Sequence, residues 1–219
     1  MIRINVLKSR RVGISTYVEM ILFKHVLLVP NFEALVVSHN DQSTNAIFDM
    51  FRLFRDECQL KREERLNNRR GITYEAPHRS SVQISTVGSD DIGRGGGKQG
   101  LHLSEMSFWQ SAYAKGALSS ITGSTMDAPG TIIIVESTAN GVGGAFHEHY
   151  LASRTSTPDQ ISSNNFQNFF SSWLEDPGCV LDVPLDHKRW EEIPSEWMED
   201  EKRLRSLGST DSNFSWRRM

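Results

Sequence analysis

Three short stretches carry residue types that, at their spacing, suit phosphate chemistry. The first is Lys8-Ser-Arg-Arg-Val-Gly-Ile-Ser-Thr16. A phosphate-binding loop needs a strand ending in a turn, backbone N–H groups aimed inward at a helix N-terminus, an ammonium for the β- and γ-phosphates and a hydroxyl for Mg²⁺. Gly13 provides the turn and Ser15 or Thr16 the hydroxyl. Ile14 stands where a lysine ordinarily precedes the hydroxyl residue. Lys8, at the mouth of the loop, can reach the same phosphates from the other side, and Arg10 or Arg11 can add charge stabilisation in the transition state. Taken alone, the stretch also reads as a basic turn before a capped helix.

The second stretch, Leu101-His-Leu-Ser-Glu105, follows the glycine-rich Gly93-Arg-Gly-Gly-Gly97. In a nucleotide-hydrolysing site of this kind, a hydrophobic strand ends in a small polar residue that holds a Mg²⁺-bound water, then a carboxylate that polarises the attacking water. Ser104 and Glu105 suit those two roles, with Mg²⁺ held through water because Ser104 stands where Asp is commoner. The third, Glu136-Ser-Thr-Ala-Asn-Gly141, directly follows the most hydrophobic strand. Ser137, Thr138 or Asn140 at a strand's carboxyl end can sense a γ-phosphate or position water. Read alone, it is a turn with Gly141 at positive φ.

These residues must be positioned by strands and helices legible from periodicity. Arg3 to Lys8 reads as a strand; a helix capped by Ser15 or Thr16 follows, with Val18, Ile21, Leu22 and His25 near helical spacing before Pro30. Ala34 to Ser38 is a second strand. Ala46, Ile47, Met50, Phe51, Phe54 and Cys58 predict a long amphipathic helix from about Ser43 to Leu66 with a charged far end. Val82 to Thr86, Gly100 to Leu103 and Thr131 to Val135 complete the predicted strands. Apolar strands alternating with helices imply an α/β fold, a mostly parallel sheet covered on both faces. Beyond about residue 153 the texture changes: a polar loop from Ser153 to Asn168, one more strand at Phe169 to Trp173, and an acidic helix at His187 to Leu207. The predicted division is therefore 1–153 as the core and 154–219 as a small C-terminal linker subdomain.

The 219 residues include 38% hydrophobic and 23% charged, enough apolar material for a real core and too little bias for a disordered or collagenous chain. The longest aliphatic run is Val26 to Val29, which excludes a membrane-spanning helix. Cys58 and Cys179 form neither a CxxC pair nor a metal spacing, pointing to a reducing compartment. The net charge of -3 is uneven: residues 1–100 carry 15 basic and 11 acidic side chains, the remainder 9 and 16. A basic first half permits an anionic ligand.

Taken together, the three stretches resemble the large terminase subunits of tailed double-stranded DNA phages, the ATPase motors that package genomes. KSRRVGIST is similar to that family's deviant Walker A, in which the lysine moves to the start of the loop; GLHLSEMSFW resembles its Walker B and ESTANG its coupling motif. Asn168-Phe-Phe-Ser-Ser-Trp173 with Pro177, and Asn213-Phe-Ser-Trp-Arg-Arg218, are similar to segments that follow the motor, so the resemblance spans nearly the whole chain. It implies a P-loop NTPase that hydrolyses ATP with Mg²⁺ in a host bacterial cytoplasm, translocating double-stranded DNA into a procapsid with a portal protein, a small terminase subunit and further copies of itself in a ring. Catalysis would fall to Glu105, Lys8 and Arg10. ATP would be bound by Lys8, Arg10, Arg11, Gly13, Ser15 and Thr16, and Mg²⁺ by Ser15, Thr16 and, through water, Ser104. Coupling would fall to Ser137, Thr138, Asn140 and Gly141. Only seven residues precede Lys8, and no clustered carboxylates of an RNase H-like nuclease follow the motor, so weak base selectivity and no DNA cleavage are expected. The alternatives are another P-loop nucleic-acid motor, helicase-like, or a fragment that binds without turnover.

Arg94, an arginine among glycines, reads equally as a trans-acting finger between ring subunits or as a loop residue. His147 and His149 lack the i, i+4 spacing of a helical zinc site and read as a solvated helix face. Asp90-Asp91 reads as a turn, and Lys61 to Arg65 as a charged helix end rather than a DNA contact.

Overall fold

The computed structural model describes residues 1–89, 92, 97–155, 162–181 and 195–217. They form two compact units, Met1–Phe170 and Ser171–Met219. In the first, β1 (Ile2–Lys8), α1 (Ile14–Leu28), β2 (Glu33–Ser38), α2 (Asp41–Glu57), β3 (Glu64–Asn68), β4 (Gly71–Tyr74), β5 (Ser81–Thr86), β6 (Gly100–Ser104), α3 (Ser111–Gly123), β7 (Ile132–Thr138), α4 (Gly144–Ala152) and β8 (Gln167–Ser171) follow in chain order. The eight strands lie in the order β3-β4-β5-β2-β6-β7-β1-β8. The centre, from β5 to β1, is parallel, as the alternation of apolar strands with helices predicts.

Alternation along each parallel strand sends side chains to two buried layers. On one face Val36 and Val82 meet Leu22 and Val26 of α1 and Phe48 and Phe51 of α2. On the other, Leu35, Val37, Leu101, Leu103, Ile133 and Val135 meet Trp109, Ile121 of α3 and Phe146 of α4. The chain passes from β1 through α1 to β2, which lies beyond β7 and β6, so α1 packs across the middle of the sheet. Parallel pairing also brings the carboxyl ends of β1, β6 and β7 side by side, with Lys8 opposite Thr138 and Ser104 opposite Glu136.

Several expectations need correction. α1 has no side-chain cap: it starts at Ile14 behind Gly13 at φ 76°, and Ser15 Oγ is bonded elsewhere. α2 ends at Glu57, not near Leu66. Asn40 caps its start by accepting from Ser43 N at 2.8 Å, and Lys61 Nζ closes its end by donating to the carbonyls of Arg55 and Asp56. The charged continuation becomes β3, an exposed edge strand paired antiparallel with β4. Charged side chains on an edge discourage further strand pairing. Neither β3, β4 nor α3 appears in the sequence reading. The third stretch begins inside β7 rather than after it, because Glu136 to Thr138 continue the pairing. The predicted strand at Phe169 to Trp173 is instead β8, Gln167–Ser171; Trp173 opens a 3-10 turn, where Ser172 Oγ accepts from Leu174 N.

The second unit contains α5 (Ser195–Ser206) and α6 (Asp211–Arg217). Trp173 stacks on Trp216 with centroids 5.6 Å apart, the Arg205 guanidinium lies over the buried Phe214 ring, and Asn213 Nδ2 donates to Cys179 O. Residues 187–194 of the predicted acidic helix, and Asp90-Asp91, lie outside the described residues. No described helix is long and apolar enough to cross a membrane.

Candidate functional site

The loop between β1 and α1 is short and sharply curled. Arg11 adopts φ 61° and Gly13 φ 76°; for Arg11 that conformation costs roughly 1–2 kcal/mol. Glu105, directly after β6, is also left-handed at φ 51°, ψ 42°. Strained residues persist where the surroundings over-determine them, often at working sites. Both line one cavity of ≈360 Å³ with Lys8, Arg10, His39, Ser43, Phe108 and Thr138. It sits at the carboxyl ends of the parallel strands, the usual ligand crevice of such sheets. A larger cavity of ≈640 Å³ runs along β4 and β5, but holds none of the predicted site residues. Its buried Lys98 ammonium is already held by Glu33 and Gln83 at 2.8 and 3.1 Å.

Lys8 Nζ lies 3.3 Å from Glu105 Oε1 and 3.0 Å from Glu136 Oε2, with only 7% of its side chain exposed. Burial pulls this ammonium towards neutrality, but Glu136 and Glu105 outweigh it and hold the lysine above its usual value. Thr138 holds the other Glu105 oxygen, Oγ1 and the backbone N–H donating to Oε2 at 3.3 and 3.4 Å. A cation from β1, a carboxylate from the end of β6 and a hydroxyl from the end of β7 thus meet at one crevice.

Other predicted residues divide. Arg10 and Arg11 line the cavity and Gly13 begins the helix. Ser15 and Ser104 point beneath the cavity: both hydroxyls donate to Glu136 Oε1, at 2.9 and 2.6 Å. Thr16 turns away, its hydroxyl 3.4 Å from Met50 Sδ, so of the two candidate hydroxyls only Ser15 is under the crevice. Ser137 Oγ accepts from Ser107 N, and Asn140 Nδ2 donates to Ser107 O, tying the third stretch to the turn after β6. Gly141 has φ 76°, as the turn reading expects. Arg94 lies outside the described residues. His147 and His149 lie on α4; burial pushes His149 down to about 4, so its ring is less solvated than expected.

One group, Glu19, is missing from the sequence-based expectations, and two, His102 and Glu136, stand in the second and third stretches with no role assigned. Glu19, His102 and Glu136 are fully buried. His102 Nδ1 lies 2.5 Å from Glu19 Oε1 and its Nε2 3.3 Å from Glu136 Oε1. Burial opposes charge on His102, but hydrogen bonds with Glu136 and Glu19 raise it to about 9. Burial likewise opposes ionisation of Glu136, yet His102, Lys8 and Ser104 bring it down to about 2. Glu19 is pushed up, chiefly by burial. A partial signal existed: Glu19 and His102 interrupt the apolar patterns of α1 and β6, whereas Glu136 stands at a strand end where polar residues are expected.

Mg²⁺ prefers oxygen donors and keeps several waters. The hydroxyls of Ser15 and Ser104 gathered on one carboxylate oxygen fit such an ion, and no described group of three His, Cys, Asp or Glu residues forms a dedicated metal cage.

No protein-family profile matches the chain, and no curated protein matches its sequence. Solved structures do. The large terminase ATPase domain of Thermus phage P74-26 aligns over 98% of this chain and 85% of its own, with TM-score 0.54 and 17% identity. The large terminase of another thermophilic bacteriophage aligns over 77% of this chain, at TM-score 0.55 and 8% identity; this chain spans 40% of its length. The same terminase in complex with ADP gives TM-score 0.52 and 11% identity. At such identities the likeness is one of fold, and with its mostly parallel sheet flanked by helices the chain has the fold of the phage large-terminase ATPase domain.

Proposed function

We propose that this chain is the ATPase motor domain of a phage large terminase, hydrolysing ATP with Mg²⁺ and coupling hydrolysis to translocation of double-stranded DNA into a procapsid in the host cytoplasm. The observation that carries the reading is the meeting of Lys8, Glu105 and Thr138 at one crevice beside a curled basic loop. Lys8 supplies the phosphate cation in place of Ile14, and Arg10 and Arg11 add positive charge at the mouth. Glu105 accepts a proton from, and orients, the water that attacks the γ-phosphate. Ser15, with Ser104 through water, would hold Mg²⁺, which when bound offsets charge on the β- and γ-phosphates. Catalysis is then positioning and charge stabilisation by preset groups.

Coupling follows from the same contacts. Thr138 touches the carboxylate that faces attacking water, while Ser137 and Asn140 grip Ser107 just beyond it. A change at Glu105 on hydrolysis is felt directly by the end of β7. The DNA, portal protein, small subunit and ring are the partners this reading supplies. Glu105→Gln should retain ATP binding and lower kcat by on the order of 10² or more. Equal turnover by the variant would refute it.

A further inference from the structure

Below the crevice lies a layer of charge that hydrolysis as described does not use. Glu19 of α1, His102 of β6 and Glu136 of β7 stand in a buried row, carboxyl oxygens facing both ring nitrogens of His102. A doubly protonated ring satisfies that arrangement. Burying ions costs several kcal/mol each, so such a row is retained only where geometry and hydrogen bonds compensate. Here Glu136 makes more contacts than a structural pair requires. Its Oε1 meets Ser15 Oγ, Ser104 Oγ and His102 Nε2, and its Oε2 faces Lys8 Nζ. These partners come from α1, β6 and β1. Two of them, Lys8 and Ser15, are the cation and the hydroxyl that the proposed function assigns to the phosphates and Mg²⁺.

The register makes the arrangement specific. Ser104 lies directly opposite Glu136 on the neighbouring strand and donates to it at 2.6 Å. A serine at 104 brings no negative charge to the end of β6, whereas Glu136 delivers a carboxylate to the same spot from β7. We propose that Glu136, oriented by His102, is the positioning residue that sets Lys8 and Ser15, supplying from β7 the carboxylate that Ser104 lacks. The inference rests on the nucleotide reading above. In it, Glu136 acts through Ser15, Ser104 and their waters and touches no reacting atom.

The role has a signature that a merely structural one lacks. Removing a carboxylate that orders the metal side weakens Mg²⁺-assisted binding, but beneath a polyphosphate it also removes a repulsive charge. Glu136→Gln keeps size and an acceptor oxygen while losing charge. ATP affinity should be measured for the wild-type chain and for Glu136→Gln and His102→Gln, with Mg²⁺ and with chelator, alongside thermal melting. The wild type should bind more tightly with Mg²⁺. In Glu136→Gln that Mg²⁺-dependent gain should fall about 10- to 100-fold, the usual scale for losing a partner behind a metal's direct ligands, while affinity in chelator stays unchanged or rises. His102→Gln should show a smaller loss of the same kind. Placing the carboxylate at its commoner position, in Ser104→Asp/Glu136→Gln, should recover part of the gain. A wild-type Mg²⁺-dependent gain in Glu136→Gln, an equal loss with and without Mg²⁺, or failure of both single variants to fold would overturn the proposal. No ATP binding by the folded wild-type chain would instead overturn the nucleotide reading itself.

Discussion

Replacing Lys8 by methionine separates what this lysine does for the fold from what it does for phosphate. Methionine preserves the apolar stem and removes the charge. The Lys8 side chain is 7% exposed, and its ammonium lies between Glu136, which is fully buried, and Glu105, whose side chain is 25% exposed. Without it, two carboxylates face each other across a partly dry space. Removing one partner of a buried ion pair costs about 3–5 kcal/mol, because the other charge is left uncompensated. Glu136 retains Ser15, Ser104 and His102 on its other oxygen, and Glu105 reaches solvent, so the expected cost sits lower, at about 2–3 kcal/mol. For a chain of this size that is a fall in melting temperature of about 5–10 °C. The double variant Lys8→Met/Glu136→Gln should be more stable than the sum of the singles by about 1–2 kcal/mol, since the second change removes the charge that the first exposed. Calorimetry or thermal circular dichroism of the four proteins reads this cycle, and nucleotide titration reads the loss of phosphate affinity. A Lys8→Met variant that melts with the wild type, or a cycle with no coupling, would refute the arrangement of charges described here.

Further outcomes follow from the same network. His102 is raised from 6.5 to about 9, so its contribution to stability is complete below about pH 6.5 and is lost as pH climbs through about 9; Glu19, also raised, acts in the same direction. Glu136 is lowered from 4.5 to about 2, so its contribution is complete above about 4.5 and is lost in acid. Melting temperature should therefore decline between pH 6.5 and 9 in the wild type and much less in His102→Gln. Thr138→Val removes the hydroxyl on Glu105 but keeps the backbone donor; kcat should drop about tenfold with ATP affinity nearly unchanged, read by steady-state kinetics and titration. Gly71→Ala sets a Cβ against the Val82 carbonyl and should destabilise the chain by about 1–3 kcal/mol in denaturant melts, loosening β4 from β5.

Much of this was local and therefore legible in the amino-acid order. β1, β2, β5, β6 and β7 are short stretches of apolar or alternating apolar and polar residues, and their type depends on neighbours a few positions away. The basic loop, the Ser104-Glu105 pair and the stretch that begins at the end of β7 stand out because polar residues at the carboxyl ends of parallel strands converge in any such sheet. β3 and β4 were not legible: Glu64 to Asn68 continues a charged run after a helix, and only antiparallel pairing with β4, itself paired to β5, makes it a strand. Nor does Ser15-Thr16 reveal which hydroxyl turns inward. That depends on the helix beginning at Ile14, which sends Ser15 to Glu136 and Thr16 to Met50. Glu19, His102 and Glu136 are separated by 83 and 34 residues, and a polar residue that interrupts an apolar pattern marks its own position without naming its partner. Only the passage of α1 across β6 and β7 brings their charges together, because a buried ion is tolerated solely where another part of the chain arrives to pair with it.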